Sequence, residues 1–160
     1  MLDRRETRYE RIFDQLRELI EGRSPTALAA MATICALLHA KMPHHLWTGF
    51  YLVAPGDELH VGPYQGVVAC QVLRTGGVCL RAVETKRPVI VDDVHSFQGH
   101  ITCDPRAGSE IVIPVMDDGE VVAVLDIDAA ERGSFSEADV APLSRIVSLL
   151  DSLLSGLPRG

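Results

Sequence analysis

The sequence predicts an α+β fold: a mostly antiparallel sheet with N-terminal helices and a C-terminal helix packed together on one face. Three observations carry that expectation. Two helical stripes open the chain and a third closes it, so helices and strands do not alternate as a doubly wound sheet requires. The segments between them are short and apolar and are joined by tight-turn sequences, which suits hairpins rather than crossovers. The 160 residues, 47% of them hydrophobic, contain no repeat, linker or second domain, so residues 1–160 read as a single domain with one full core.

The first stripe is Tyr9, Ile12, Phe13, Leu16, Leu19 and Ile20. Its i, i+3, i+4, i+7 spacing predicts an amphipathic helix within residues 1–22, with Gly22 placed to stop it. Ser24-Pro25 reads as a cap followed by proline at the first helical position. The second helix then runs to about Lys41, with Leu28, Met31, Ala32, Cys35 and Leu38 on its apolar side, and Met42-Pro43 ends it. From Trp47 the period changes to two. Residues 47–53 and 59–61 flank the turn Pro55-Gly56-Asp57, and residues 67–73 read as a further strand leading into Thr75-Gly76-Gly77. A short helix over about 78–86 and a strand at 89–91 follow. Residues 92–108 show no period and are rich in His, Asp, Gly and Pro; so long an irregular stretch inside a compact domain is usually functional. Residues 111–115 and 121–127 form a hairpin around Asp117-Asp118-Gly119. Ser136 and Asp139 resemble a capping box for a last helix through about Leu154, lined by Val140, Leu143, Ile146, Val147 and Leu150. With the terminal helices on one face of the sheet, the other face and its loops are left for a ligand.

Composition excludes several classes. Fifteen Lys and Arg against 22 Asp and Glu give a net charge of −7, and no basic face is available to displace counterions from nucleic acid. The richest apolar run, residues 27–40, falls short of the roughly 18 residues of a membrane span and is broken by Thr33 and His39. The N-terminal MLDRRETRYER lacks the apolar core of a secretory signal, so the expectation is a soluble cytoplasmic protein with neither nucleic acid nor membrane as a partner.

In such a compartment the four cysteines are not expected to be a disulfide framework, and there is no C-x-x-C pair. Cys35 falls on the second helical stripe and reads as core filler. Cys70 alternates with Val68 and Val72 and is expected to face inward on a strand, whereas Cys79 follows a glycine-rich turn. Cys103 stands in a polar loop with His95, His100 and Asp104. Familiar zinc spacings are absent from that loop, so no metal is expected there. A thiol in a polar loop with two possible partners fits a cycle of sulfenate followed by disulfide. His95, His100 and loop N–H groups would favour the thiolate. Glu110 stands at the head of an apolar run, and Asp126 and Asp128 flank Ile127, so these two share a face. Like charges on one face call for a cation, and a ligand ammonium would answer them. Trp47 and Tyr51, four apart on a strand, also share a face and suit an aromatic wall.

Several segments carry a resemblance. They are WTGFY at 47–51, GPYQG at 62–66 with Ala69-Cys70, GVC at 77–79, DVH at 93–95, GHITCD at 99–104, SEIV at 109–112 and LDID at 125–128. Across about residues 28–150 the chain resembles the free methionine-(R)-sulfoxide reductases, single-domain enzymes of the GAF fold. The resemblance implies thiol-dependent reduction of free L-methionine (R)-sulfoxide without a cofactor. It implies Cys103 as nucleophile, Cys70 and Cys79 as recycling cysteines, and Trp47, Tyr51, Glu110, Asp126 and Asp128 around the substrate. It also implies thioredoxin or a similar dithiol as reductant, and a homodimer. Two departures stand out: the connection between Cys70 and Cys79 is shorter than is usual in the family, and Leu80 stands where the family has glycine. The alternative is a non-catalytic GAF sensor of a small molecule or of oxidation.

Overall fold

The computed structural model describes residues 3–99 and 104–158. Along the chain come α1 (Arg4–Ile20), α2 (Ala27–Lys41), β1 (Trp47–Ala54), β2 (Glu58–Gln65), β3 (Val72–Leu73), α3 (Gly77–Thr85), β4 (Val89–Val91), β5 (Ser109–Asp117), β6 (Glu120–Ala129) and α4 (Glu137–Val147). Short 3₁₀ segments cover Val94–Ser96 and Ser148–Gly156. The strands form one sheet in the order β3-β2-β1-β6-β5-β4, with every neighbouring pair antiparallel. The fold is therefore the α+β arrangement expected. Among the described residues no helix is long and apolar enough to cross a membrane.

One face of the sheet is covered by α1, α2, α4 and the last 3₁₀ segment. Phe50, Ile111, Ile113, Leu125 and Ile127 meet Leu16, Met31, Ile34, Leu38, Leu143 and Ile146 there, all of them essentially inaccessible. Buried Asp139 ties the layer together. It accepts the Tyr9 hydroxyl proton at 2.8 Å and the Ser136 N–H at 2.8 Å, and it pairs with Arg5 at 3.2 Å. The capping box of α4 thereby doubles as the anchor for α1, and the buried charge is fully partnered. Cys35 lies in this layer as expected, its thiol donating to the Pro63 carbonyl at 3.3 Å. The second apolar cluster, on the opposite face, joins α3 to Trp47, Tyr51, Val112 and Val124.

Five local expectations are corrected. The cap of α2 is Thr26, whose hydroxyl accepts the Ala29 N–H at 3.1 Å, so Ser24-Pro25 precedes the helix rather than opening it. Leu19 and Leu28 are exposed at the edges of their stripes while Ile20 and Ala27 turn inward. The return strand β2 is longer than residues 59–61 because the ladder slips between Gly49 and Tyr51, which absorbs Pro63 and its missing N–H. Of residues 67–73, Val72 and Leu73 pair with β2 at His60 and Leu59, and the Gln71 carbonyl accepts the Val61 N–H at 3.0 Å. Val68 is 83% exposed, and Cys70 is half-buried in an irregular segment rather than inward on a strand. The closing helix also changes from α to 3₁₀ after Val147. The hairpin turn has left-handed Asp118 and Gly119, at φ 53° and 79°.

Candidate active site

The antiparallel register builds the site. Trp47 pairs with Asp128, and Asp128 with Glu110, so one row of β1, β6 and β5 carries an indole and two carboxyls. The next row is Gly49, Asp126 and Val112. Residues paired across antiparallel strands share a face, so Glu110, Asp126 and Asp128 converge although Glu110 is far from the other two in sequence. Beneath them α3 brings Cys79 up against the sheet. Cys79 Sγ and one oxygen each of Glu110 and Asp126 all lie within 4.8 Å of one another, and all three residues are buried.

These groups line a cavity of about 590 Å³, part of it open to solvent, together with Trp47, Tyr51, Val68, Ala69, Gly77, Val78, Asp104 and Ala107. The Trp47 ring lies between Tyr51 and Tyr64, with centroid separations of 5.8 Å and 5.3 Å in stacked geometry. Gly49 makes that possible: a Cβ there would collide with the Trp47 ring and with Tyr64 Cβ. The same aromatics hold the segment before β3, since the Trp47 Nε1–H donates to the Val67 carbonyl at 3.1 Å and the Tyr51 hydroxyl to that of Cys70 at 3.1 Å. Gly76 and Gly77, at φ 67° and 85°, turn the chain into α3, whose N-terminus opens on the cavity.

The electrostatics are one-sided. Among the described residues, no Lys, Arg or His lines the cavity. Burial pushes the carboxyl of Glu110 well above its ordinary range, and the charges of Asp126 and Asp128 push it further. Burial also raises Asp126, against the opposing effect of its contacts with Glu110 and Cys79. Asp128 is raised by burial and by Asp126 and Asp104. The Cys79 thiol is pushed up by burial and then by the same acids. Asp126 Oδ1 is buried without a hydrogen-bond partner. Asp104 differs: its ion pair with Arg106, at 2.8 Å, holds it below the usual carboxylate range.

The structure thus brings together Trp47, Tyr51, Cys79, Glu110, Asp126 and Asp128 around one cavity, with Cys70 bonded to its rim through Tyr51. Cys103 and His100 lie outside the described residues. His95 is exposed, its N–H capped by Asp93, and it does not line the cavity. Leu80 sits inside α3 with no left-handed backbone, so the helix accommodates it without strain. Sequence reasoning passed over Gly49 and Tyr64, which shape the aromatic wall. The small residue between two same-face aromatics was the available signal for Gly49.

Residues 6–155 match the model of the GAF domain family. The chain is 38% identical over 149 residues to "GAF domain-containing protein A" of Dictyostelium discoideum, covering 92% of this chain and 93% of that protein. It is 40% identical over 129 residues to the free methionine-R-sulfoxide reductase of Escherichia coli, covering 80% of this chain and 78% of the relative. The solved structure of the free methionine-R-sulfoxide reductase of Neisseria meningitidis, in complex with its substrate, superposes with a TM-score of 0.90 at 30% identity, covering 97% of this chain and 93% of that one. By fold, register and these relationships, the chain belongs to the GAF domain family and, within it, to the free methionine-(R)-sulfoxide reductases.

Proposed function

We propose that this protein reduces free L-methionine (R)-sulfoxide to methionine with electrons from thiols. The observation that carries the proposal is the convergence of Glu110, Asp126 and Asp128 in a cavity walled by Trp47 and Tyr51, without a basic residue among the described lining. The relatives named for this activity support it. A free amino acid brings an α-ammonium to answer the acids. Bringing that charge beside Asp126 and Asp128 lowers their affinity for protons, while the proton on Glu110 stays available. The N–H groups at the start of α3, reaching the cavity at Gly77 and Val78, face the substrate's carboxylate.

In the proposed chemistry the Cys103 thiolate attacks the sulfoxide sulfur and Glu110, which keeps its proton, protonates the departing oxygen. Methionine leaves and Cys103 holds the oxygen as a sulfenic acid. Cys70 then condenses with it, releasing water and forming a disulfide. Cys79 is buried with its thiol pushed up, which suits a later exchange rather than the first attack. A dithiol such as thioredoxin reopens the disulfide, and the protein works as a homodimer. The test is incubation of reduced protein with racemic free methionine sulfoxide and dithiothreitol, followed by resolution of the remaining enantiomers. Loss of the R form alone is expected. No loss with folded, reduced protein would overturn the reading in favour of a non-catalytic GAF sensor.

A further inference from the structure

Cys79, Glu110 and Asp126 form a donor set that a substrate ammonium does not exhaust. A sulfur and two oxygens on three separate elements lie within 4.8 Å of one another. Zinc bonds of about 2.3 Å to sulfur and about 2.0–2.2 Å to oxygen place tetrahedral donors on the order of 3.5 Å apart, so the set closes onto such an ion with side-chain adjustments of about an ångström. Asp126 supplies a second, independent observation. It is 6% exposed, it lines the same cavity, and its Oδ1 is buried without a hydrogen-bond partner. A buried acceptor in that position lacks a donor or a cation. The Cys79 thiol is free.

We propose that Cys79 Sγ and one oxygen each of Glu110 and Asp126 bind a thiophilic divalent cation of the zinc class, in the place where the amino acid's ammonium would sit. The sulfur selects against magnesium and calcium, which take oxygen donors and more of them. Three protein ligands leave a fourth position open towards the cavity, where water or Asp128 completes the shell. Binding releases the Cys79 proton and any carboxyl proton to solvent, with no change of oxidation state. The cation and the free amino acid therefore exclude one another, and the metal acts as a competitive inhibitor. This exclusion rests on the function proposed above, whereas the cation site itself does not.

The test titrates cadmium into the reduced full chain carrying Cys70→Ser and Cys103→Ser, which leaves Cys35 and Cys79 as the thiols. One equivalent should bind with thiolate-to-cadmium charge-transfer absorption. Adding Cys79→Ser should abolish that absorption. Glu110→Gln and Asp126→Asn should each weaken binding at least about tenfold while the absorption returns at saturation. Absorption that survives Cys79→Ser, or none in the parent variant, overturns the proposal. L-methionine should raise the apparent Kd for cadmium. If cadmium binds through Cys79 and methionine leaves its affinity unchanged, the cation site stands and the placement of the amino acid at these acids fails. If methionine alters Trp47 fluorescence and cadmium does not bind, the cation proposal fails alone.

Discussion

Replacing Gly49 with alanine tests how the aromatic wall is built. Gly49 lies between Trp47 and Tyr51 on the cavity face of β1, opposite Asp126 on β6. An added Cβ would lie 2.7 Å from Trp47 Cζ3 and 2.5 Å from Tyr64 Cβ, so the ring must leave its place between Tyr51 and Tyr64. Overpacking of this kind costs about 1–3 kcal/mol, and each aromatic stack contributes about 0.5–1.5 kcal/mol. A displaced wall also withdraws contact from the substrate, and each 1.4 kcal/mol of transition-state binding lost is about tenfold in kcat/KM. Trp47 is the sole tryptophan in the sequence, so its emission reports on the site directly. Urea unfolding of Gly49→Ala should show a stability loss of about 1–3 kcal/mol. The emission should shift to the red, and kcat/KM for free methionine sulfoxide should fall about tenfold or more. Unchanged emission together with unchanged kcat/KM would refute the reasoning.

Glu110→Gln should stabilise the unliganded protein while impairing turnover. A carboxyl raised on folding retains a proton that the unfolded chain gives up, so its cost grows as pH rises from the ordinary carboxylate range through the folded value, by about 1.4 kcal/mol per unit. Calorimetry should show a larger rise in Tm at pH about 8 than at pH about 5, with about 2–4 °C for each kcal/mol. His45 acts with the opposite sign. Burial, with His44, His39 and Arg5 nearby, lowers it to about 2. Below about pH 6.5 the unfolded chain takes up a proton that the folded one refuses, so stability falls as pH drops. His45→Gln should move the midpoint of acid unfolding to lower pH. Cys103→Ser should abolish turnover. Cys35→Ser should leave turnover per folded molecule unchanged, because Cys35 is buried in the helical layer away from the cavity.

The helical stripes and the tight turns were legible because each is written in local periodicity: Tyr9 to Ile20, the Asp118-Gly119 hairpin and the Ser136 cap all needed only neighbours in sequence. So was the common face of Asp126 and Asp128, which follows from a period of two. The meeting of Glu110 with those two depends on β5 lying beside β6 in one register, which periodicity does not encode. Residues 67–70 misled because Val67, Val68 and Ala69 have strand-like character, yet tertiary bonds from Trp47 and Tyr51 hold the segment off the ladder. The Thr26 cap lost to Ser24-Pro25 for a local reason: both offer a hydroxyl at the helix start, and Thr26 is the one whose side chain reaches the backbone N–H of Ala29.

If the buried acids grip an α-ammonium, substrates that differ in that charge must differ in turnover. Acetylating the amine of methionine (R)-sulfoxide removes the cation and leaves Asp126 Oδ1 without an answer in a partly dry cavity. Truncating one partner of a desolvated charge pair costs on the order of 2–5 kcal/mol. The measurement is kcat/KM for the free amino acid against its N-acetyl derivative, in wild type and in Asp126→Asn. A preference for the free substrate of about thirtyfold or more is expected, and it should shrink in Asp126→Asn. Equal kcat/KM for both substrates in the wild-type protein would mean that the acids do not bind the ammonium.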